Sequence, residues 1–177
     1  MEELKAMNSK ILTKPEEYKF LEKLFQGKTK KKFIPNLLYR ATRDTDNGLI
    51  FHKKCDNIKD TLTLIKTISG NIFGGYTSET WDGNNYKKDD KAFCFSIDLK
   101  KKYNSKKTDN AIYSTRSYGP CFGDAFFWVF NRCFEEGGVI TEELNKNYDN
   151  RKEKYEINNG KDKFIVEDFE VFEVKFE

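Results

Sequence analysis

Apolar positions along the chain fall first into a helical rhythm and then into a strand rhythm. Tyr18, Leu21, Leu24 and Phe25 recur at the spacing of one helix face, with charged residues between them. Thr13-Lys14-Pro15-Glu16 reads as the start of that helix. The Thr13 hydroxyl and the Glu16 carboxylate form a capping box, Pro15 occupies the first turn where no amide hydrogen is needed, and Gly27 supplies a left-handed stop. The pattern predicts an amphipathic helix lying on another layer.

From Leu37 short apolar runs alternate with turn residues, the mark of a sandwich or barrel carrying few helices. Residues 37–41 predict a strand. Asp46-Asn47-Gly48 opens a short helix that carries Leu49, Ile50, Phe51 and His52 to about Cys55, before Asp56-Asn57 breaks it. Residues 61–68 and 72–77, joined by Ser69-Gly70-Asn71, predict an antiparallel hairpin. Gly74-Gly75 in its second arm marks a bulge or a close backbone approach. Beyond a polar loop at 81–91, Phe93, Phe95 and Ile97 alternate with Ala92, Cys94 and Ser96 as in a packed strand. Residues 100–110 read as a charged loop, 111–115 and 126–130 as strands, and 135–160 as a long polar surface excursion. Residues 164–176 read as a final strand with a bulge near Asp168. The expected fold is mainly β with flanking helices, a two-sheet antiparallel β-sandwich in a single domain. A chain of 177 residues buries one sizeable core and is short for two.

Composition sharpens this in three respects. Aromatic residues make up 15% of the chain, and large flat side chains favour pleated, half-buried surfaces. Charge nearly cancels, 32 basic against 29 acidic residues, which argues against nucleic acid as the main partner. The lysine-rich segments 28–32 and 100–107 leave nucleic-acid association as the weaker alternative, and a solvated linker is the simpler reading of the first. Met1-Glu2-Glu3-Leu4-Lys5 lacks the apolar run of a signal peptide, and no stretch approaches the ~18 apolar residues of a membrane span. The chain is therefore expected in the cytoplasm or nucleus, without membrane insertion.

Candidate chemistry is sparse. The four cysteines, Cys55, Cys94, Cys121 and Cys133, lack paired zinc-site spacing, His52 is the single histidine, and reduced thiols are expected. His52 and Cys55 lie three apart on the predicted helix, near enough to share a metal or activate a thiolate, but no third ligand accompanies them. Asp44-Thr45-Asp46-Asn47-Gly48 matches the opening of a calcium loop, yet Cys55 stands where the bidentate glutamate belongs, so an EF-hand is rejected. Cys121, in Pro120-Cys121-Phe122 with Arg116 nearby in sequence, is the catalytic alternative, a redox thiol; a buried inert thiol competes with it. Gly74, Gly75, Tyr76 and Trp81 form the candidate partner interface, with plain core packing as the competing reading. Neither a phosphate loop nor a nucleophile elbow is visible, and no cofactor or metal is expected.

Several spaced stretches together resemble a known family. They are Leu37-Leu38-Tyr39-Arg40-Ala41-Thr42-Arg43-Asp44, Phe51-His52-Lys53-Lys54-Cys55-Asp56, Thr61-Leu62-Thr63-Leu64-Ile65-Lys66 and Phe73-Gly74-Gly75-Tyr76-Thr77-Ser78. Trp81, Ala92-Phe93-Cys94-Phe95-Ser96, Gly119-Pro120-Cys121-Phe122-Gly123 and Phe169-Glu170-Val171-Phe172-Glu173-Val174 follow in order. This succession resembles a TLDc domain from about Ser9 to Val174, setting residues 1–8 apart as an N-terminal extension of a domain at 9–177. The resemblance implies a two-sheet β-sandwich of the kind found in eukaryotic oxidation-resistance proteins. It also implies a non-enzymatic protein-binding module linked to oxidative-stress protection, with subunits of the vacuolar proton ATPase as the partner; separately from the resemblance, a monomer is expected. One segment departs from the pattern. Where many members continue with a glycine and a His-Asp pair, this chain has Asp124-Ala125-Phe126-Phe127. No role of that histidine carries over.

Overall fold

Two six-stranded antiparallel sheets face one another in the computed structural model, which describes residues 1–27 and 31–177. The first sheet contains β1 (Phe33–Arg40), β2 (Thr61–Thr67), β3 (Ile72–Thr77), β5 (Phe93–Ser96), β6 (Lys101–Asn104) and β12 (Val166–Phe176), in the order β1-β12-β2-β3-β5-β6. The second contains β4 (Tyr86–Lys87), β7 (Ile112–Tyr113), β8 (Cys121–Phe122), β9 (Phe127–Val129), β10 (Gly138–Val139) and β11 (Lys163–Phe164), in the order β11-β10-β9-β8-β7-β4. Among the described residues the remaining elements are the helices α1 (Glu2–Met7), α2 (Pro15–Phe25), α3 (Ala41–Asp44) and α4 (Gly48–Cys55) and a 3-10 turn at Glu156–Asn158.

Strand alternation divides the apolar side chains into two cores. Ile65, Phe73, Cys94 and Val171 of the first sheet point inward to meet Ile112, Phe122, Phe127 and Val129 of the second. Their neighbours Leu62, Leu64, Phe93, Phe95 and Phe172 point the other way and are covered by Tyr18, Leu21 and Leu24 of α2. Phe25 stacks on Phe33 at 4.9 Å and meets Phe93 edge-on at 5.2 Å. Each such Leu or Phe, fully buried, stabilises the fold by about 1.5–3 kcal/mol.

The hairpin β2–β3, the helix α4 and the β5 alternation match the sequence pattern. Asn47 caps α4 by accepting from the Leu49 amide at 2.8 Å. The glycines of β3 are explained by close approach rather than by a bulge, since β3 pairs regularly with both neighbours. A side chain at Gly74 would collide with the Thr63 carbonyl, and one at Gly75 would lie 2.6 Å from the Phe122 ring across the sandwich.

Other expectations are corrected. The cap of α2 is displaced by one residue: the Glu17 carboxylate, not that of Glu16, accepts from the amides of Thr13 (2.9 Å) and Lys14 (3.0 Å). Gly27 does not take the left-handed conformation. β1 begins at Phe33, not Leu37, because β12 runs far enough to pair Phe176 with Phe33, and as an edge strand β1 tolerates Pro35. The charged segment 100–110 contains β6, whose lysines protect a sheet edge while their stems cover apolar surface. Lys102 lies 4.2 Å over the Phe93 ring and donates to the Leu24 carbonyl. Residues 135–160 are no surface excursion: they contribute β10 and bury Ile140, Tyr148 and Ile157. The final segment changes sheets, Phe164 ending β11 in the second and Val166 opening β12 in the first, and the predicted bulge falls between Val166 and Asp168.

The first eight residues pack on the first sheet. Met7 is buried there, and Glu170 accepts from the Ser9 hydroxyl (2.6 Å), the Lys10 amide (2.7 Å) and Arg40 Nε (2.8 Å). Arg40 also donates to the Asn8 carbonyl.

Candidate functional site

The four positions proposed from sequence as an interface are packing positions. Trp81 is fully buried, donates Nε1–H to Thr61 Oγ1 at 3.0 Å and meets Phe122 edge-on. Tyr76 lies beneath Phe25 of α2 and donates its hydroxyl to Asp60 at 2.6 Å. Gly74 and Gly75 are buried where neighbouring atoms leave no room for a side chain. Among the described residues the exit of β3 presents no exposed aromatic ring at Tyr76 or Trp81.

His52 does not join Cys55. Its Nδ1 pairs with the Asp56 carboxylate, and burial pushes the Cys55 thiol well above its ordinary pKa. The acidic turn before α4 is satisfied by the protein itself: Asp44 accepts from the Arg40 amide at 3.0 Å and pairs with Arg43, and Asp46 accepts from the Phe134 amide at 3.0 Å. Among the described residues no group of three His, Cys, Asp or Glu side chains is arranged to hold a metal. Of the lysine-rich segments, residues 28–30 lie outside the described residues, while Lys101 is paired with Glu156 at 2.9 Å.

Cys121 is also buried, as the inert-thiol reading has it and not as the redox alternative requires. Its thiol donates to the Gly119 carbonyl at 3.4 Å, and burial raises its pKa, disfavouring the thiolate that peroxide chemistry requires. Arg116 is exposed and takes no part in shifting that pKa.

The segment that departs from the family pattern is a clasp. Asp124 accepts from Asn110 (2.9 Å) and Asn147 (3.1 Å) and pairs with Lys146 at 3.0 Å. Burial pushes its pKa up, but these partners outweigh it and hold the carboxyl below its ordinary value. Behind it, Glu142 accepts from the Asp124 amide (3.0 Å), Asn147 Nδ2 (2.8 Å) and Arg151 Nη2 (3.0 Å). Arg151 also donates to the carbonyls of Glu143 (2.7 Å) and Lys154 (3.1 Å), and lies 4.7 Å over the Phe126 ring. Both side chains of the pair are fully buried; burial raises the Glu142 pKa and lowers that of Arg151. Gly123, with φ of +63°, must be glycine because a Cβ would strike the Glu142 carboxylate. The clasp ties residues 142–151 to the β8–β9 turn.

The surface with the composition of a binding site lies on the outer face of the second sheet, which sequence reasoning missed. Phe122 and Phe127 pair on the inner face, so Tyr113, Trp128, Val139 and Lys163 point outward. Tyr86 and Tyr113 rings lie 4.7 Å apart, Tyr113 stacks on Trp128 at 5.0 Å, and Tyr118 meets Phe130 edge-on at 5.2 Å. Trp128 is fixed by donating Nε1–H to the Gly123 carbonyl at 3.0 Å. Three depressions join along this face. The first, of about 300 Å³, is lined by Tyr86, Tyr113, Tyr118 and Trp128. The second, of about 320 Å³, shares Tyr118 and is closed by Phe130 and Arg132. The third, of about 510 Å³, shares Phe130 and is walled by Ile68, Val139, Ile165, Lys161 and Lys163. Because they share Tyr118, Phe130 and Glu136 at their borders, the three count as one groove, aromatic at its Tyr86 end and reaching Ile68 and Ser69 of the β2–β3 turn at the other.

Cys121 pairs in register with Trp128 and thus shares this outer face, beneath the aromatic layer. Native protein should resist iodoacetamide at all four cysteines, each of which is buried. Trp128→Ala should make one thiol reactive, and Trp128→Ala/Cys121→Ser should remove that reactivity, read by intact-mass analysis. Alkylation at another cysteine in the Trp128 variant would contradict the placement.

Among the described residues no helix is long and apolar enough to cross a membrane. No curated protein matches the sequence at a significant level. The sequence does match the TLDc domain over residues 6–175, nearly its whole length, in agreement with the two-sheet architecture. The chain belongs to the TLDc domain family.

Proposed function

We propose that this TLDc domain is a non-enzymatic protein-interaction module that docks its partner on the aromatic groove of the second sheet. The observation that carries this reading is the contrast between the two outer faces. That of the first sheet is covered by α2, whereas that of the second presents half-buried rings from Tyr86 to Phe130. Aromatic side chains held rigidly at a surface are the residues that dominate binding energies at interfaces. Family resemblance extends the proposal to oxidative-stress protection and to the vacuolar proton ATPase in the cytoplasm. There a module that binds one assembly state better than another shifts the balance between them in proportion to its differential affinity.

The test is capture of purified ATPase catalytic-sector subunits by immobilised protein. Wild type should retain them, and Trp128→Ala should weaken retention about 30-fold, the effect of losing a ~2 kcal/mol anchor. Failure of wild type to bind would remove the ATPase as partner. Undiminished binding by the Trp128 variant would move the docking face elsewhere.

A further inference from the structure

Resting on the reading of the domain as a binding module, we infer that the groove seats an amphipathic helix of the partner, with carboxylates at the end that meets Lys161 and Lys163. Three features of the molecule lead to this occupant.

The first is what the protein does with its other outer face. There an equivalent aromatic and aliphatic surface is covered by α2, whose Tyr18, Leu21, Leu24 and Phe25 form the apolar side of an amphipathic helix. The second is backbone chemistry. The groove runs across the strands, between side chains rather than along a free edge. An extended segment laid there would bury its amides and carbonyls without partners, whereas a helix satisfies them internally. Strand addition at β11 is blocked at the Lys163 carbonyl, which accepts from Asn158 Nδ2 at 2.8 Å. Five strand-to-strand steps separate β4 from β11, about 24 Å at about 4.8 Å each, and a helix of about 16 residues spans that distance.

The third feature is charge polarity. The end near Tyr86 is lined by Tyr113, Thr115, Ser117, Tyr118 and Trp128, none of them formally charged at neutral pH. The opposite end carries Lys161 and Lys163, and among the described residues no carboxylate lies within ion-pair distance of either. Between them Glu136 lines both adjoining depressions, and Arg132 pairs with Glu135. Glu136 disfavours a carboxylate at mid-groove, so the acidic residues belong at the lysine end. Charge placed this way sets the direction of docking more than its strength.

The test uses two fluorescein-labelled 16-residue helical peptides with the same Leu/Phe stripe, one ending in three glutamates and the other in three lysines, titrated against the full chain by fluorescence polarisation. The glutamate peptide is expected to bind about tenfold or more tighter. Lys161→Glu/Lys163→Glu should reverse that preference with an unchanged melting temperature, since both lysines are exposed. Trp128→Ala should weaken both peptides. Equal affinities, a preference untouched by the charge reversal, or no saturable binding of either peptide would overturn the inference. If the peptides fail while ATPase subunits are still captured, the binding-module reading stands and the helical seat alone is lost. Selective peptide binding without ATPase capture would uphold the helical seat and remove the ATPase as its source.

Discussion

Replacement of Arg151 by methionine is expected to lower the melting temperature by about 6–20 °C. The arginine neutralises Glu142 where both side chains have no solvent exposure. Removing one partner of a buried pair typically costs about 3–5 kcal/mol, because the other charge remains without compensation. For a chain of this size each kcal/mol shifts the midpoint by about 2–4 °C. Glu142→Gln/Arg151→Met should recover most of the loss, since Oε1 can still accept from the Asp124 amide while no charge is left buried. The pH dependence separates this account from simple loss of packing. Burial already raises the Glu142 pKa, and loss of Arg151 raises it further. A carboxyl with its folded pKa above the unfolded value regains stability as pH falls through the folded pKa, and the gain is complete below the unfolded one. Arg151→Met should therefore lie closer to wild type at pH 5 than at pH 7 in urea titrations. Asp124 has the opposite sign: its pKa is depressed, so its contribution is present above the ordinary carboxylate value and fades in more acidic solution. An Arg151 variant as stable as wild type at pH 7 would show that the clasp does not hold the β8–β9 turn.

Trp81→Ala is expected to cost about 3–5 kcal/mol while leaving the groove chemistry intact, whereas Trp128→Ala should change stability far less and weaken docking by the same ~30-fold. The two tryptophans are the only ones in the chain, and their roles are opposite. Trp81 fills space between Phe51 and Phe122, and its ring nitrogen holds Thr61 at the start of β2. Trp128 packs on Tyr113 at the surface. Denaturant midpoints and peptide affinities measured on both variants give the comparison. A stable Trp81 variant that had lost binding would return that residue to the interface.

The elements legible in the sequence are those with unambiguous period and punctuation. The hairpin around Gly70, the Asn47 cap of α4 and the alternation of Phe93 and Phe95 each combine a local rule with a local consequence. β6 is hidden because lysines whose stems lie on apolar surface read as solvated charge. The segment 135–160 reads as surface for a related reason: Glu142, Asn147 and Arg151 look like solvated residues until they are seen to satisfy one another. The groove is invisible along the chain because its aromatics are scattered over 86, 113, 118, 128 and 130, and only sheet pairing assembles them. Trp81 stands out instead, since a ring beside a glycine-rich strand reads alike whether it points inward or outward.

The position of β12 bears on when the domain is able to fold during synthesis. β1 and β2 are consecutive in the chain yet are not hydrogen-bonded to each other; the gap between them is filled by Val166–Phe176. A nascent chain that has emerged only as far as β11 has its hairpin β2–β3, but the Thr61–Thr67 edge that β12 pairs stays open and β1 has no strand to dock on. Folding is thus postponed until translation of the domain is all but complete, and a nonsense codon upstream of Val166 would leave an aggregation-prone fragment rather than a smaller working domain.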